Sequence, residues 1–160
     1  MNSQQLQQEI QKTQEQLQRL QEQLEVAKSI TIETAQPGDT LPDGCIVVYR
    51  QENLVLIAAP KETEVVCKRD DIWERAFTEL ECQGFDMITW HIPSVNELKL
   101  ASKYCPKEFQ YGYIYWSSDF NAESHPLTVI CNYGRPCIDS RDQSVSAYTF
   151  RVRAFKWVVL

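Results

Sequence analysis

At 160 residues, with a formal charge of −6 and a sequence pI near 5.0, the chain has room for one domain with a sizeable core and a short appendage. Its composition, 43% hydrophobic and 11% aromatic with seven prolines, is globular and excludes collagen-like or mucin-like chains. The acidic balance argues against a nucleic-acid partner, because phosphate-backbone binding needs clustered Lys and Arg to displace counterions.

The opening stretch "MNSQQLQQEI" has neither a basic start nor an apolar segment, so no export signal is read there and a soluble protein made in the cytosol is expected. No apolar run reaches the ~18 to 20 residues of a membrane span, so membrane insertion is not expected. From Leu6 the apolar positions are spaced alternately by four and three, which is a coiled-coil seam. Ile10, Leu17 and Leu24 take the a positions, and Leu6, Thr13, Leu20 and Ala27 the d positions. Gln7, Gln14 and Gln21 fall at e, and Glu9, Gln16 and Gln23 at g, flanks that carry little charge and suit self-association. Residues 1–28 are therefore expected to form an oligomerisation helix. A homotrimer is the reading, although Leu-rich a and d positions do not by themselves separate two strands from three. About three heptads are marginal alone, so other contacts should act beside the coil.

Residues 29–40 read as a neck, with Ile30 and Ile32 alternating with polar residues before a break at Pro37-Gly38. Residues 41–160 form the head. Within it "CIVVYRQENLVLIAAP" gives apolar runs Cys45 to Tyr49 and Leu54 to Ala59 joined by Arg50 to Asn53, a hairpin pattern. Ile72, Trp73, Ala76, Phe77 and Leu80 recur at helical spacing behind acidic residues, and Gly84 ends that helix. In "WHIPSVNEL" Ser94 is the N-cap and Glu97 completes a capping box for a second helix that turns Leu98, Ala101 and Tyr104 inward before Pro106 stops it.

Beyond Gly112 the helical period vanishes, and "YIYWSS", "LTVICNY", "SAYTFRVRAF" and "KWVVL" read as antiparallel strands. In the last run Tyr148, Phe150, Val152 and Ala154 share one parity and Phe155, Trp157 and Val159 the other, so a bulge, a bend or a change of strand falls at Ala154-Phe155. The fold class is α+β on a helical stalk. Trp90, Trp116 and Trp157 are expected as core anchors.

Six cysteines without a C-x-x-C pair read as reduced, mostly buried thiols. In "CNYGRPC", Cys131 and Cys137 flank a Gly-Arg-Pro turn and could meet across a hairpin under oxidation. The chain has two histidines, His91 and His125, and no Gly-rich phosphate cradle, H-E-x-x-H or nucleophile elbow. No enzymatic activity and no cofactor are expected. Function then belongs on the loops "SSDFNAESHP" and "NYGRPCIDSRDQSVS", where Phe120, Tyr133, Arg135, Asp139, Arg141 and Asp142 combine aromatic area with charge.

Four segments, "CIVVYRQENLVLIAAP", "WHIPSVNEL", "YWSS" and "RVRAFKWV", stand in the order found in the domain of unknown function at the C-terminus of the Legionella collagen-like adhesin. Over about Leu41 to Trp157 the chain resembles that family, which often reads W-R-L-P-T-x-x-E-L, then Y-W-S-S, then V-R-x-V-R. Here His91 stands in place of the usual Arg, and Arg153-Ala154-Phe155-Lys156 in place of the usual ending. The resemblance implies a variant of the C-type lectin fold, with two helices flanking a twisted sheet and the ends of the domain meeting. It also implies the tip of a phage receptor-binding protein or of an adhesin.

Calcium-dependent lectins use Glu-Pro-Asn or Gln-Pro-Asp with Trp-Asn-Asp, and none of these triplets is present. Asp119, Glu123, Asp139 and Asp142 could supply some of the six to eight oxygens calcium needs, but nothing in the sequence fixes them together. The expectation is a bacteriophage tail-fibre or tail-tip protein of the virion. Its N-terminal helix would dock other tail or baseplate proteins and its heads would meet a glycan or protein receptor on the host. A purely structural baseplate subunit, and a bacterial adhesin or small-ligand module, are the alternatives.

Overall fold

Helix α1 spans Ser3–Ser29 without interruption, as expected for a segment of Gln, Glu, Leu and Lys with neither Gly nor Pro. Gln11 Nε2 donates to Glu15 Oε1 at 3.3 Å and Gln18 Nε2 to Glu22 Oε1 at 3.1 Å, each pair bracing one turn. The computed structural model describes residues 3–67, 72–109, 112–123, 126–131, 136–139 and 150–160.

The neck is not a free linker. Ile30 and Ile32 pack against a core cluster of Ala35, Leu41, Cys45, Val47, Val55 and Ile57. Arg50 ties it down, its Nε donating to Ala35 O at 3.0 Å and its Nη2 to Ile32 O. Gly38, at φ +98°, donates its N–H to Val47 O at 2.8 Å, a backbone turn that suits glycine. By packing, residues 30–40 therefore belong to the head.

The expected hairpin is β1 (Ile46–Gln51) and β2 (Leu54–Ala58), tighter than the sequence implied, with Gln51 opposite Leu54 and only Glu52 and Asn53 in the turn. The last strand, β8 (Phe155–Val159), pairs antiparallel with β2, so the three-stranded sheet runs β1-β2-β8. A second sheet, of β3 (Val65–Cys67), β7 (Phe150–Val152), β4 (Ile114–Phe120), β5 (Pro126–Ile130) and β6 (Cys137–Asp139), runs in the order β3-β7-β4-β5-β6. The parity break at Ala154-Phe155 is the point where the chain leaves one sheet for the other. Ala154 O accepts from Ala59 N there at 2.9 Å. One pairing departs from the antiparallel expectation: β4 and β7 are parallel, with Ile114 opposite Phe150. Such a pair needs a long crossover, and the chain through β5 and β6 supplies it.

Helices α2 (Ile72–Cys82) and α3 (Val95–Tyr104) lie on opposite faces of the five-stranded sheet. α3 buries Val95, Leu98 and Ala101 against Ile46, Val48 and Leu56 of one sheet and Tyr115 and Val129 of the other. α2 buries Ala76 and Leu80 in a cluster with Trp116, Phe150 and Val152. Phe77 and Tyr104, both expected inside, are exposed because the cores are filled by the smaller residues of their helices; Tyr104 instead stacks on Tyr49, centroids 5.9 Å apart. Trp116 is the buried anchor it was expected to be and Trp90 is half-buried, whereas Trp157 is 40% exposed. The Trp157 indole N–H reaches Glu97 Oε1 in the first turn of α3 at 2.7 Å, while part of the ring stays in solvent.

Candidate functional site

Of the expected receptor contacts, Phe120 closes β4 with its ring 53% exposed, opposite Pro126 across a register shift. Asp139 ends β6 opposite Thr128, which places both positions at the same end of three adjacent strands. Tyr133, Arg135, Arg141 and Asp142 lie outside the described residues. Asp119, a candidate calcium ligand, is engaged otherwise: its Oδ2 accepts from Val95 N at 2.8 Å, where a carboxylate complements the helix N-terminus. Among the described residues no three of His, Cys, Asp and Glu converge as a metal site.

Two buried carboxylates organise the head: Glu97, read from sequence as the capping partner of Ser94 and nothing more, and Glu64, which was not singled out. Glu97 caps α3 reciprocally with Ser94: Ser94 Oγ accepts from Glu97 N at 3.2 Å, and Ser94 N donates to Glu97 Oε2 at 2.7 Å. The other oxygen, Oε1, accepts from Trp157 Nε1 at 2.7 Å and lies 2.9 Å from His91 Nε2. One side chain thus joins α3, β8 and the strand-like segment at His91, which bridges Phe155. Burial pushes the carboxyl up, but the bonds from His91 and Ser94 outweigh it and hold Glu97 down at about 2.

Glu64 lies between the two sheets. Its Oε1 accepts from Tyr115 Oη at 2.8 Å, and its Oε2 from Arg151 Nη1 at 2.8 Å. Arg153 Nη1 sits 3.7 Å from Oε1, near enough for charge attraction and too far for a hydrogen bond. The guanidinium is fully buried, donates from Nε to Ala59 O at 2.5 Å and lies over the Phe109 ring, while neither Nη finds a partner among the described residues. Burial lowers its pKa, opposed by Glu64, and burial beside Glu64 raises that of Tyr115, whose hydroxyl stays a donor. The available signal was an arginine within an apolar run, "FRVRAF".

Burial works against thiolate formation at Cys45, Cys105 and Cys131. Cys45, Cys67, Cys105 and Cys131 are buried, and burial raises Cys45 and Cys131 to about 12 and Cys105 to about 11. An activated cysteine needs the opposite shift. Cys82 alone of the free cysteines described is exposed. In native protein, maleimide should label Cys82 at least 100-fold faster than those four, as read by peptide mass mapping; equal rates would contradict the packing.

On α1 every described side chain from Gln5 to Glu22 is exposed, including Ile10 at 50%, Leu17 at 57% and Leu20 at 61%. The d-position hydroxyl of Thr13 donates to Glu9 O at 2.8 Å, so this face can enter an apolar interface without orphaning it. Glu9, Ile10, Thr13, Gln14 and Leu17 line a surface groove along the seam. Leu6, Leu24 and Ala27 lie on the same helix, but their side chains are outside the described set. Compared with family models and with curated proteins, the chain matches none of either. Among the described residues no helix is long and apolar enough to cross a membrane.

Proposed function

We propose that this protein is a bacteriophage tail-fibre or tail-tip component. A coiled coil through Leu6, Ile10, Thr13, Leu17, Leu20, Leu24 and Ala27 gathers three copies, and non-catalytic, C-type lectin-like heads meet a host surface receptor. The observation that carries the reading is the exposed seam of α1, an apolar stripe at heptad spacing on a helix whose described side chains pack on nothing in their own head. A solitary helix of this kind would leave that surface in water. The lectin-like assignment is supported by two helices packed with twisted sheets and by β8 closing on the first hairpin, with Leu160 N donating to Asn53 O at 2.8 Å. The non-catalytic assignment is supported by thiols held protonated in the core and by the structural employment of His91 and Glu97.

Multivalency supplies the physical rationale. Weak heads held at matched spacing gain ~10² to 10⁴ in avidity without any new contact. In this reading the receptor surface is the β4–β5–β6 end of the sheet, supported by the exposure of Phe120 there. Sedimentation of the full chain should give about three times 18.6 kDa, and the Leu17→Asp/Leu20→Asp variant 18.6 kDa with its head intact. The assembled protein should block phage adsorption to host cells at a concentration at least 100-fold below that of the monomeric variant, and Phe120→Ala should weaken the block. A wild-type monomer would remove the stalk, and equal failure of both proteins to compete would remove the receptor.

A further inference from the structure

The sheet β1-β2-β8 has two edges, and the chain treats them differently. The β1 edge is covered by the neck, where Gly38 N donates to Val47 O at 2.8 Å and Val47 N to Asp39 O at 2.9 Å. The β8 edge is covered at one rung, where Phe155 and His91 exchange both backbone bonds at 2.8 Å. Past that rung the neighbouring segment turns away, because Thr89 N and Trp90 N both close on Asp86 O.

Alternation along β8 fixes what the rest of its edge presents. Phe155 directs its N–H and C=O outward to His91, so Trp157 and Val159 direct theirs outward too, while the backbone groups of Lys156 and Val158 face β2. Among the described residues the N–H and C=O of Trp157 and Val159 have no partner. Unpaired donors and acceptors in a row on an exposed edge are a template for another strand. The side chains narrow the choice of strand. On the α3 side of the sheet Trp157 and Val159 are 40% and 70% exposed, beside Leu54 at 40%. On the opposite side stands Lys156, its ammonium 5.7 Å from the centre of the Trp90 ring and with no acidic partner among the described residues.

We infer that the open edge of β8 is a docking site for an extended segment of a partner protein, which adds to the sheet with apolar residues toward Trp157 and Val159 and an acidic residue beside Lys156. Main-chain bonds to Trp157 and Val159 supply the affinity, and the alternating side chains supply the selectivity. A second copy of this chain fits less well. Pairing β8 with β8 is a two-fold contact, which leaves one head of a three-fold bundle without a mate; this exclusion alone rests on the proposed assembly through α1.

The test measures amide hydrogen exchange of the full chain with a synthetic seven-residue peptide alternating valine and glutamate, its valine–lysine counterpart, and a form of the first N-methylated on its bonding amides. The glutamate peptide is expected to slow exchange at Trp157 and Val159 by at least about 10-fold, the lysine peptide less, and the N-methylated form not at all. Val159→Pro removes an outward donor that the β2–β8 ladder does not use, so circular dichroism should stay unchanged while protection at Trp157 is lost. Lys156→Glu should reverse the preference between the two charged peptides. Absent protection at Trp157 and Val159 in the wild type, or equal protection by the N-methylated form, overturns the inference. So do dimers of the Leu17→Asp/Leu20→Asp variant that Val159→Pro abolishes, since they would give the edge to a second copy. A wild-type monomer that still binds the glutamate peptide in this way upholds the edge and removes the stalk alone.

Discussion

Replacing Glu64 with alanine is expected to destabilise the head by about 3 to 5 kcal/mol, the range for leaving a buried charge without its partner. The charge left behind is Arg153, fully buried, with a side-chain exposure of 0% against 3% for Glu64. Its Nε keeps Ala59 O, but among the described residues neither Nη has a hydrogen-bond partner, so loss of Glu64 removes the largest of the charges that offset the burial of the guanidinium. The reverse deletion should be milder. In Arg153→Met, Glu64 retains Tyr115 and Arg151, and the methionine fills the space against Phe109. A cost of about 0 to 2 kcal/mol follows, because a guanidinium with unpaired donors already opposes part of its own attraction. In the double variant the orphaned cation is gone, so Glu64→Ala/Arg153→Met should be more stable than Glu64→Ala alone. Urea midpoints of the four proteins test this cycle; additive costs would show that Glu64 does not compensate Arg153.

Acid should unfold the protein in a window set largely by Glu97. Its folded-state pKa, about 2, lies below the ordinary 4.5, so the unfolded chain binds the proton more readily. The stabilisation is therefore fully present above about pH 4.5 and is lost as pH falls toward 2, with a ceiling of about 3 kcal/mol. His91 is 39% exposed at its side chain, so solvent screens part of that attraction and the realised figure is smaller. Glu97→Gln should cost stability at neutral pH, since a neutral amide caps α3 less well and satisfies His91 and Trp157 less well, and its stability should vary less with pH across the window. Thermal midpoints measured from pH 5 to pH 2.5 decide the matter: parallel curves for the two proteins would mean that Glu97 is not the titrating group.

The capping box shows how far local chemistry reaches. Ser94 and Glu97 are three residues apart, so their reciprocal bonds are written in the chain and α3 begins where they place it. The identity of Glu97's other partners is not local. Trp157 arrives from 60 residues away, and no spacing rule links the two. The same division separates Phe120, legible as an aromatic in a polar loop and found at the end of β4, from Glu64, whose partners Tyr115 and Arg151 lie 51 and 87 residues further on.

Sequence alone determined the uninterrupted first helix, the hairpin, both helices of the head and a break in parity at Ala154-Phe155, which the structure resolves as a change of sheet. Each depends on neighbours within a few residues, through periodicity, capping or side-chain alternation. Tertiary structure alone decided that the neck is bound by Arg50, that β4 and β7 run parallel, and that Arg153 is enclosed while Trp157 is left partly exposed. Burial is a property of two surfaces meeting, and a residue's own sequence context carries only one of them.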